Sequence, residues 1–171
     1  MSILFKMESV EQSVENAKEK ADRTARQVWM AVLAKAAVGE LAARVAQLGE
    51  VPEYRFLRSP ETGLTMVRGR AGGAGEAFNL GEMTLTRCVV QIAVGEGDEV
   101  VTGFGYVGGR SHRQAELAAL CDGLMQCAAW SDRVRTRVIE PLDAIARQEK
   151  EKVRQHTATT KVDFFTMLRG E

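Results

Sequence analysis

The feature that most constrains this chain is an alternation of apolar and polar residues at period two, broken by glycine, that runs from Pro60 to Tyr106. Leu64 and Met66 alternate with Thr65 and Val67. Thr84, Thr86, Cys88, Val90 and Ile92 then share one side, and Val100, Thr102, Phe104 and Tyr106 follow. Period two is the signature of half-buried strands. Gly103 and Gly105 fall together on the other side of the last strand, and a bare face of that kind marks the close approach of a helix or another backbone. Tyr54–Leu57 reads as a short strand, Ser59-Pro60-Glu61-Thr62-Gly63 as a turn, Phe78 and Leu80 as a further short strand, and Met83–Val94 as the longest and central strand. Gly95–Asp98 reads as a hairpin connection. Short loops between consecutive strands imply antiparallel pairing. The expectation is an antiparallel sheet of about four to five strands over 53–107.

Helical periodicity brackets that sheet. Over 8–37, Val14, Ala17, Ala21, Ala25, Val28, Val32 and Ala36 step by three or four, with Trp29 and Leu33 widening the stripe. Ala37-Val38-Gly39 interrupts it. A second helix runs from Glu40 to Leu48 with Leu41, Val45 and Leu48 inward, and Gly49 is placed to cap it. After the sheet, Ser111 and Gln114 fit a capping box at a helix start. Leu117, Leu120, Cys121, Leu124 and Ala128 form the face expected to cover the sheet, with an end at Trp130-Ser131. Pro141 predicts a kink or restart. Arg147–His156 reads as a solvated helix end or linker and Thr157–Thr160 as loose. The order helices, strands, helices argues for an α+β fold in one domain over 1–171: N-terminal helix pair 8–48, sheet 53–107, C-terminal helices 110–156 and an apolar tail at 157–171.

Composition excludes several function classes. Twenty-three Lys plus Arg balance 23 Asp plus Glu, so the chain has no global pull on nucleic acid or an anionic membrane. No apolar run approaches the roughly 20 residues of a membrane span, and the N-terminus lacks the pattern of a signal peptide, which points to the cytoplasm. Three cysteines and two histidines, far apart, predict neither a disulfide framework nor a metal site. Cys121 and Cys127 lie on different sides of a helix. A Cys88–His112 nucleophile pair rests on residue identity alone, against a buried cysteine acting as a small apolar residue.

Gly69-Arg70-Ala71-Gly72-Gly73-Ala74-Gly75 is either an anion cradle or a flexible strand connection; it fits neither the Walker nor the dinucleotide spacing. Arg68, Arg70 and Arg87 are candidates to hold phosphate oxygens, or to pair with Glu61, Glu76 or Glu82. Arg110, before the helix at Ser111-His112, is a fourth candidate. There is no nucleophile elbow, paired-carboxylate set or metal helix motif, so a self-sufficient active site is not expected.

Several segments, in order from about Arg23 to Gly170, carry a more specific signal. They include Arg26–Ala34, Pro60–Leu64, Arg70–Glu82, Thr84–Arg87, Gly109-Arg110, Leu120–Gln126, Pro141–Asp143 and Val162–Gly170. In these the chain resembles PhnG, a small subunit of the bacterial carbon–phosphorus lyase core complex. The resemblance implies a cytoplasmic hetero-oligomer with subunits of the PhnI, PhnH, PhnJ and PhnL types. It implies ATP and methylphosphonate as substrates of the complex, transfer of the ribose triphosphate with release of adenine, and no cofactor bound by this chain alone. It implies an accessory role and carries over no catalytic residue. Two alternatives stay open: contribution of phosphate-binding residues to a composite active site, and a free-standing anion or nucleotide module. The family often has Gly-Arg-Asp where this chain has Gly109-Arg110-Ser111. The tail residues Val162, Phe164, Phe165, Met167 and Leu168 are unusually apolar for a chain end and are expected to dock on a partner or fold back on the sheet.

Overall fold

The computed structural model describes residues 24–94 and 100–159. Helix α1 occupies 24–35 and α2 Val38–Ala46. Strand β1 (Tyr54–Arg70) leads through a short turn of helix (Ala71–Gly73) to β2 (Ala77–Ala93), and β3 is Val100–Gly108. Helices α3 (His112–Met125), α4 (Ala128–Val134) and α5 (Glu140–Thr159) follow, with a wide turn at Arg135–Ile139 between the last two. The strands form one antiparallel sheet in the order β1-β2-β3. The α+β class and the antiparallel pairing expected from the sequence are present.

The strand count differs. Three long strands replace the expected four to five among the described residues. Ser59–Gly63 is not a turn: β1 runs through it, with register shifts between Phe56 and Arg58 and between Arg58 and Glu61. A bulge lets a strand carry extra residues, and Pro60, which has no N–H to give the ladder, is accommodated there. Phe78 and Leu80 likewise open β2 rather than form a strand of their own. The glycine-rich segment is the β1–β2 connection, with Gly72 and Gly73 at φ +60° and +79° and Gly75 N–H donating to the Ala71 carbonyl at 3.0 Å.

One face of the sheet is covered and built for it. Thr86, Cys88, Val90 and Ile92 of β2 point into the core. Gly103 and Gly105 of β3 let α3 lie against the strand backbone. A Cβ at Gly103 would sit 2.0 Å from the Ala119 carbonyl oxygen, and one at Gly105 2.0 Å from that of Ala115. The bare face read from the sequence is this contact. Leu33, Leu41, Leu48, Leu117, Leu124 and Val138 complete the core between sheet and helices.

Polar side chains lock the helices in place. Ser111 Oγ accepts from Gln114 N–H, as the cap predicts. The Gln114 amide instead donates to the carbonyls of Leu33 (3.3 Å), Ala34 (3.2 Å) and Ala36 (2.7 Å), satisfying the end of α1. Asp122, fully buried on α3, accepts from Arg26 Nε (3.1 Å) and Nη2 (2.6 Å), Trp29 Nε1 (3.0 Å) and the Phe104 backbone N–H (2.9 Å). Gln126 donates to the Thr102 carbonyl at 3.1 Å. Asp122 and Gln126 thus occupy the outer edge of β3.

The C-terminal helices depart from the sequence reading at two points. Helix α3 stops at Met125, before Trp130-Ser131, because Gln126 turns to β3 and Cys127 takes an extended backbone as the N-cap of α4. Thr157–Thr159 belong to α5 rather than to a loose segment. The kink or restart expected at Pro141 takes the form of the wide turn Arg135–Ile139 just before it, through which the backbone stays helical and in which the regular ladder is already interrupted. Gly49 has φ +76° just after α2. The N-terminal half of the first expected helix (8–23), the Gly95–Asp98 connection and the 160–171 tail lie outside the described residues.

This packing makes three stability predictions. Gly105→Ala must push α3 off the sheet or fail to fold, losing about 3 kcal/mol or more, as overpacking against backbone does. Gly63→Ala, with open space at its Cβ position, should change urea unfolding by less than about 1 kcal/mol. Asp122→Ala leaves the half-buried Trp29, Phe104 and Arg26 donors unpaired and should cost about 1–3 kcal/mol, read from the same unfolding midpoints.

Candidate functional site

The sequence-predicted arginines fall into separate places. Arg68 and Arg70 are successive same-side residues at the end of β1. Arg68 Nη2 donates to the Ala77 carbonyl at 3.5 Å and Arg70 Nη1 to the Gly75 carbonyl at 3.4 Å. With Gly69, Gly73 and Ala77 they line an open depression of about 440 Å³ at the hairpin tip. Neither forms an ion pair with Glu76 or Glu82.

Arg87 is elsewhere. It stands across from Glu61, whereas Arg68 stands across from Asn79. The intervening length of β2 is about 26 Å at roughly 3.3 Å per residue. Arg87 Nε donates to Glu61 Oε1 at 2.6 Å, and Arg58 Nη1 reaches the same oxygen at 3.1 Å. The hydrogen bond from Arg87 holds the Glu61 carboxyl below its ordinary range. This is the salt-bridge alternative for Arg87. Arg110 is exposed in the turn before α3.

The start of α3 carries a small polar chain. His112 Nε2 and Thr62 Oγ1 are 3.1 Å apart, Thr62 and Thr86 hydroxyls 2.9 Å apart, and Thr86 Oγ1 donates to the Gly109 carbonyl at 2.7 Å. The chain ties β1, β2 and the helix start together. Nearby, Tyr54 Oη donates to Glu116 Oε1 at 2.7 Å, and burial with that bond pushes the phenol up to about 12. Tyr54 is thereby a donor at neutral pH, not a base.

Cys88 and His112 do not form a nucleophile pair. The Cys88 thiol faces the Arg58 carbonyl at 3.5 Å, and His112 is engaged with Thr62. Burial, with Glu116 adding to it, pushes the Cys88 thiol up to about 11. Burial and Asp122 push Cys121 up to about 12. All three cysteines are buried and none is in a disulfide. Among the described residues no group of His, Cys, Asp and Glu could hold a metal ion, and no helix is long and apolar enough to cross a membrane.

What sequence reasoning missed is Asp122, with its partners Arg26 and Trp29. The sign was available: a carboxylate amid the apolar run Leu117–Met125 of α3, 96 residues from the arginine that meets it. The tail residues Val162, Phe164, Phe165, Met167 and Leu168 lie outside the described residues.

Comparison with known proteins settles the family. The model of the phosphonate metabolism protein PhnG matches residues 24–170. The chain belongs to the PhnG family. It is 43% identical over 149 residues to the α-D-ribose 1-methylphosphonate 5-triphosphate synthase subunit PhnG of Rhizobium meliloti (strain 1021), covering 85% of this chain and 90% of that protein. The described part of the match takes in α1, the whole sheet and the C-terminal helices, so the Arg26–Asp122 lock and the arginine-bearing hairpin both lie inside the PhnG region.

The thiols give a direct test of this geometry. A free cysteine ionises near 8.5, so at pH 8 an accessible thiol reacts quickly with a disulfide reagent. Here the folded chain should show little reaction at pH 8 and release all three thiols only in denaturant. The raised values also set a sign. Below that ordinary value the neutral thiols' contribution is intact, and stability should fall as pH rises from there towards 11–12.

Proposed function

We propose that the chain is an accessory subunit of an α-D-ribose 1-methylphosphonate 5-triphosphate synthase in cytoplasmic phosphonate catabolism. It holds no catalytic centre of its own. Subunits of the PhnI, PhnH, PhnJ and PhnL types need it in order to move the ribose triphosphate of ATP onto methylphosphonate with release of adenine. The observation that carries this reading is the 43% identity to a subunit of that name across most of both chains. The dispersed titratable groups support it: the buried ones, Asp122 and the cysteines, are engaged in packing rather than turned into a cleft.

A second reading has its own observation. Among the described residues Arg68 and Arg70 bond only backbone carbonyls, and they border an open depression, so N–H groups remain to meet an anion. In a composite active site they would bind phosphate oxygens of the substrate.

The chain purified alone and supplied with ATP and methylphosphonate should release no adenine, whereas the reconstituted subunits should. Adenine release by the clean chain overturns the accessory reading, and saturable ATP binding by it favours a free-standing module. In the reconstituted enzyme, an Arg68→Ala, Arg70→Ala double variant that assembles normally but turns over about tenfold to a hundredfold more slowly would establish the composite site, the scale expected for lost charged hydrogen bonds. Deletion of Val162–Glu171 should leave cooperative unfolding intact while weakening assembly; loss of the unfolding transition would place the tail in the core.

A further inference from the structure

Beyond Leu85, which stands across from Gly108 at the end of β3, the sheet has only two strands. Helix α3 begins at His112 beside Thr62, so it covers nothing further out. What projects is a hairpin arm, residues 64–83, with no third strand and no helix on it among the described residues. A two-stranded hairpin alone is marginal in water. This one carries large apolar side chains outward: Leu64 is 65% exposed, Met66 48%, Phe78 47%, Leu80 62% and Met83 43%.

These side chains lie on both faces of the arm. Leu64 and Met66 share the side of Thr62, which is the α3 side of the sheet. Phe78 stands across from Gly69 and Met83 across from Thr65 on the opposite side. Leu80 lies over the bare Gly69, its Cδ1 2.6 Å from where a Cβ would be, and Met83 Cε lies 3.1 Å from the Cβ position of Gly108. An apolar patch of this kind, rimmed by charge, marks an interaction surface. Stacking against a second copy about a twofold axis would cover one face and leave the other wet. Beside the apolar residues stand Arg68 and Arg70, which pair with no carboxylate among the described residues.

We infer that the arm inserts into an apolar cleft of another subunit of the same synthase, a cleft that closes on both faces of the hairpin and presents carboxylates to Arg68 and Arg70. The inference rests on the subunit reading above and assigns the surface through which it acts. The arm is a plug: its glycine turn enters first, its apolar residues are clasped behind it, and the arginines fix the depth. Arginine and aromatic or methionine side chains are the types enriched at such contacts.

The test uses the full chain and the other synthase subunits, co-purified at matched concentrations. A Leu64→Ser, Met66→Ser, Leu80→Ser variant, checked by its cooperative unfolding, should assemble at least about tenfold more weakly, since truncating central anchors costs at least that much. Arg68→Glu with Arg70→Glu should weaken assembly most at low salt. Val153→Ser, exposed on α5, should leave it unchanged. Hydrogen exchange of the wild-type chain supplies a reading that needs no variant: amides over 64–83 should slow on assembly. Wild-type assembly strength in the triple variant, or no added protection of the arm, overturns the plug while leaving the subunit reading in place. A homodimer of the isolated chain that the triple variant dissolves also overturns it, in favour of a second copy. A wild-type chain that never assembles overturns the subunit reading and the arm with it.

Discussion

The structure depends on the distance between one helix and one strand. Because Gly103 and Gly105 lack side chains, α3 rests on the backbone of β3, and the carbonyls of Ala115 and Ala119 occupy the space that two Cβ atoms would need. Everything that holds the helical layer follows from that proximity. Only at this distance can Asp122 accept the Phe104 N–H and Gln126 donate to the Thr102 carbonyl. These bonds close the outer edge of β3, an edge that would otherwise invite another strand. The same carboxylate, brought there by the helix, receives the Arg26 fork and the Trp29 indole and so fixes α1. At the other end of α3, Gln114 fixes the end of α1 by its carbonyls. One buried charge and one buried amide, each fully partnered, do at the two ends of α3 what a larger apolar core would do in a bigger protein.

The two ends of the sheet contrast with one another. Where β3 and α3 are present, Val90, Ile92 and Cys88 are fully buried and the threonines and tyrosine find partners. Where β3 ends, the same two strands continue with apolar residues turned to water. Solvated hairpins do not ordinarily carry leucine, methionine and phenylalanine on both sides, because a half-buried strand alternates. The arm therefore reads as core residues awaiting the rest of their core. A chain whose three-stranded half is covered on one face and whose hairpin half is bare on both has the division expected of a subunit.

How much of this the sequence disclosed depends on the range of the interaction. Period-two alternation places the strands, and the spacing of Gly103 and Gly105 marks the close approach of a helix or another backbone, which α3 supplies. The Ser111 cap and the Gly49 end of α2 were legible because each is settled within a few residues. The number of strands was not legible. Ser59-Pro60-Glu61-Thr62-Gly63 has the composition of a turn, and only the continuous β2 beside it, paired again from Glu61, draws the chain through as a bulged strand. The end of α3 was misplaced for the same reason: Gln126 leaves the helix for a carbonyl 24 residues away.

The candidate site shows the same limit in a sharper form. Arg68, Arg70 and Arg87 are near in sequence and look like one cluster. Antiparallel pairing folds that nearness out along the hairpin, so Arg87 returns to Glu61 while the other two go to the tip. A salt bridge at 2.6 Å with both partners about half exposed is worth little to stability, but it sets a carboxylate against the Arg87 Nε, a competitor for any phosphate there. The tip arginines have no such competitor among the described residues. What separates them from Arg87 is register, a property of two strands together, and a reading along one strand at a time does not contain it. Of these three arginines, Arg68 and Arg70 are therefore the ones set beside the apolar residues of the arm rather than beside the buried groups of the core.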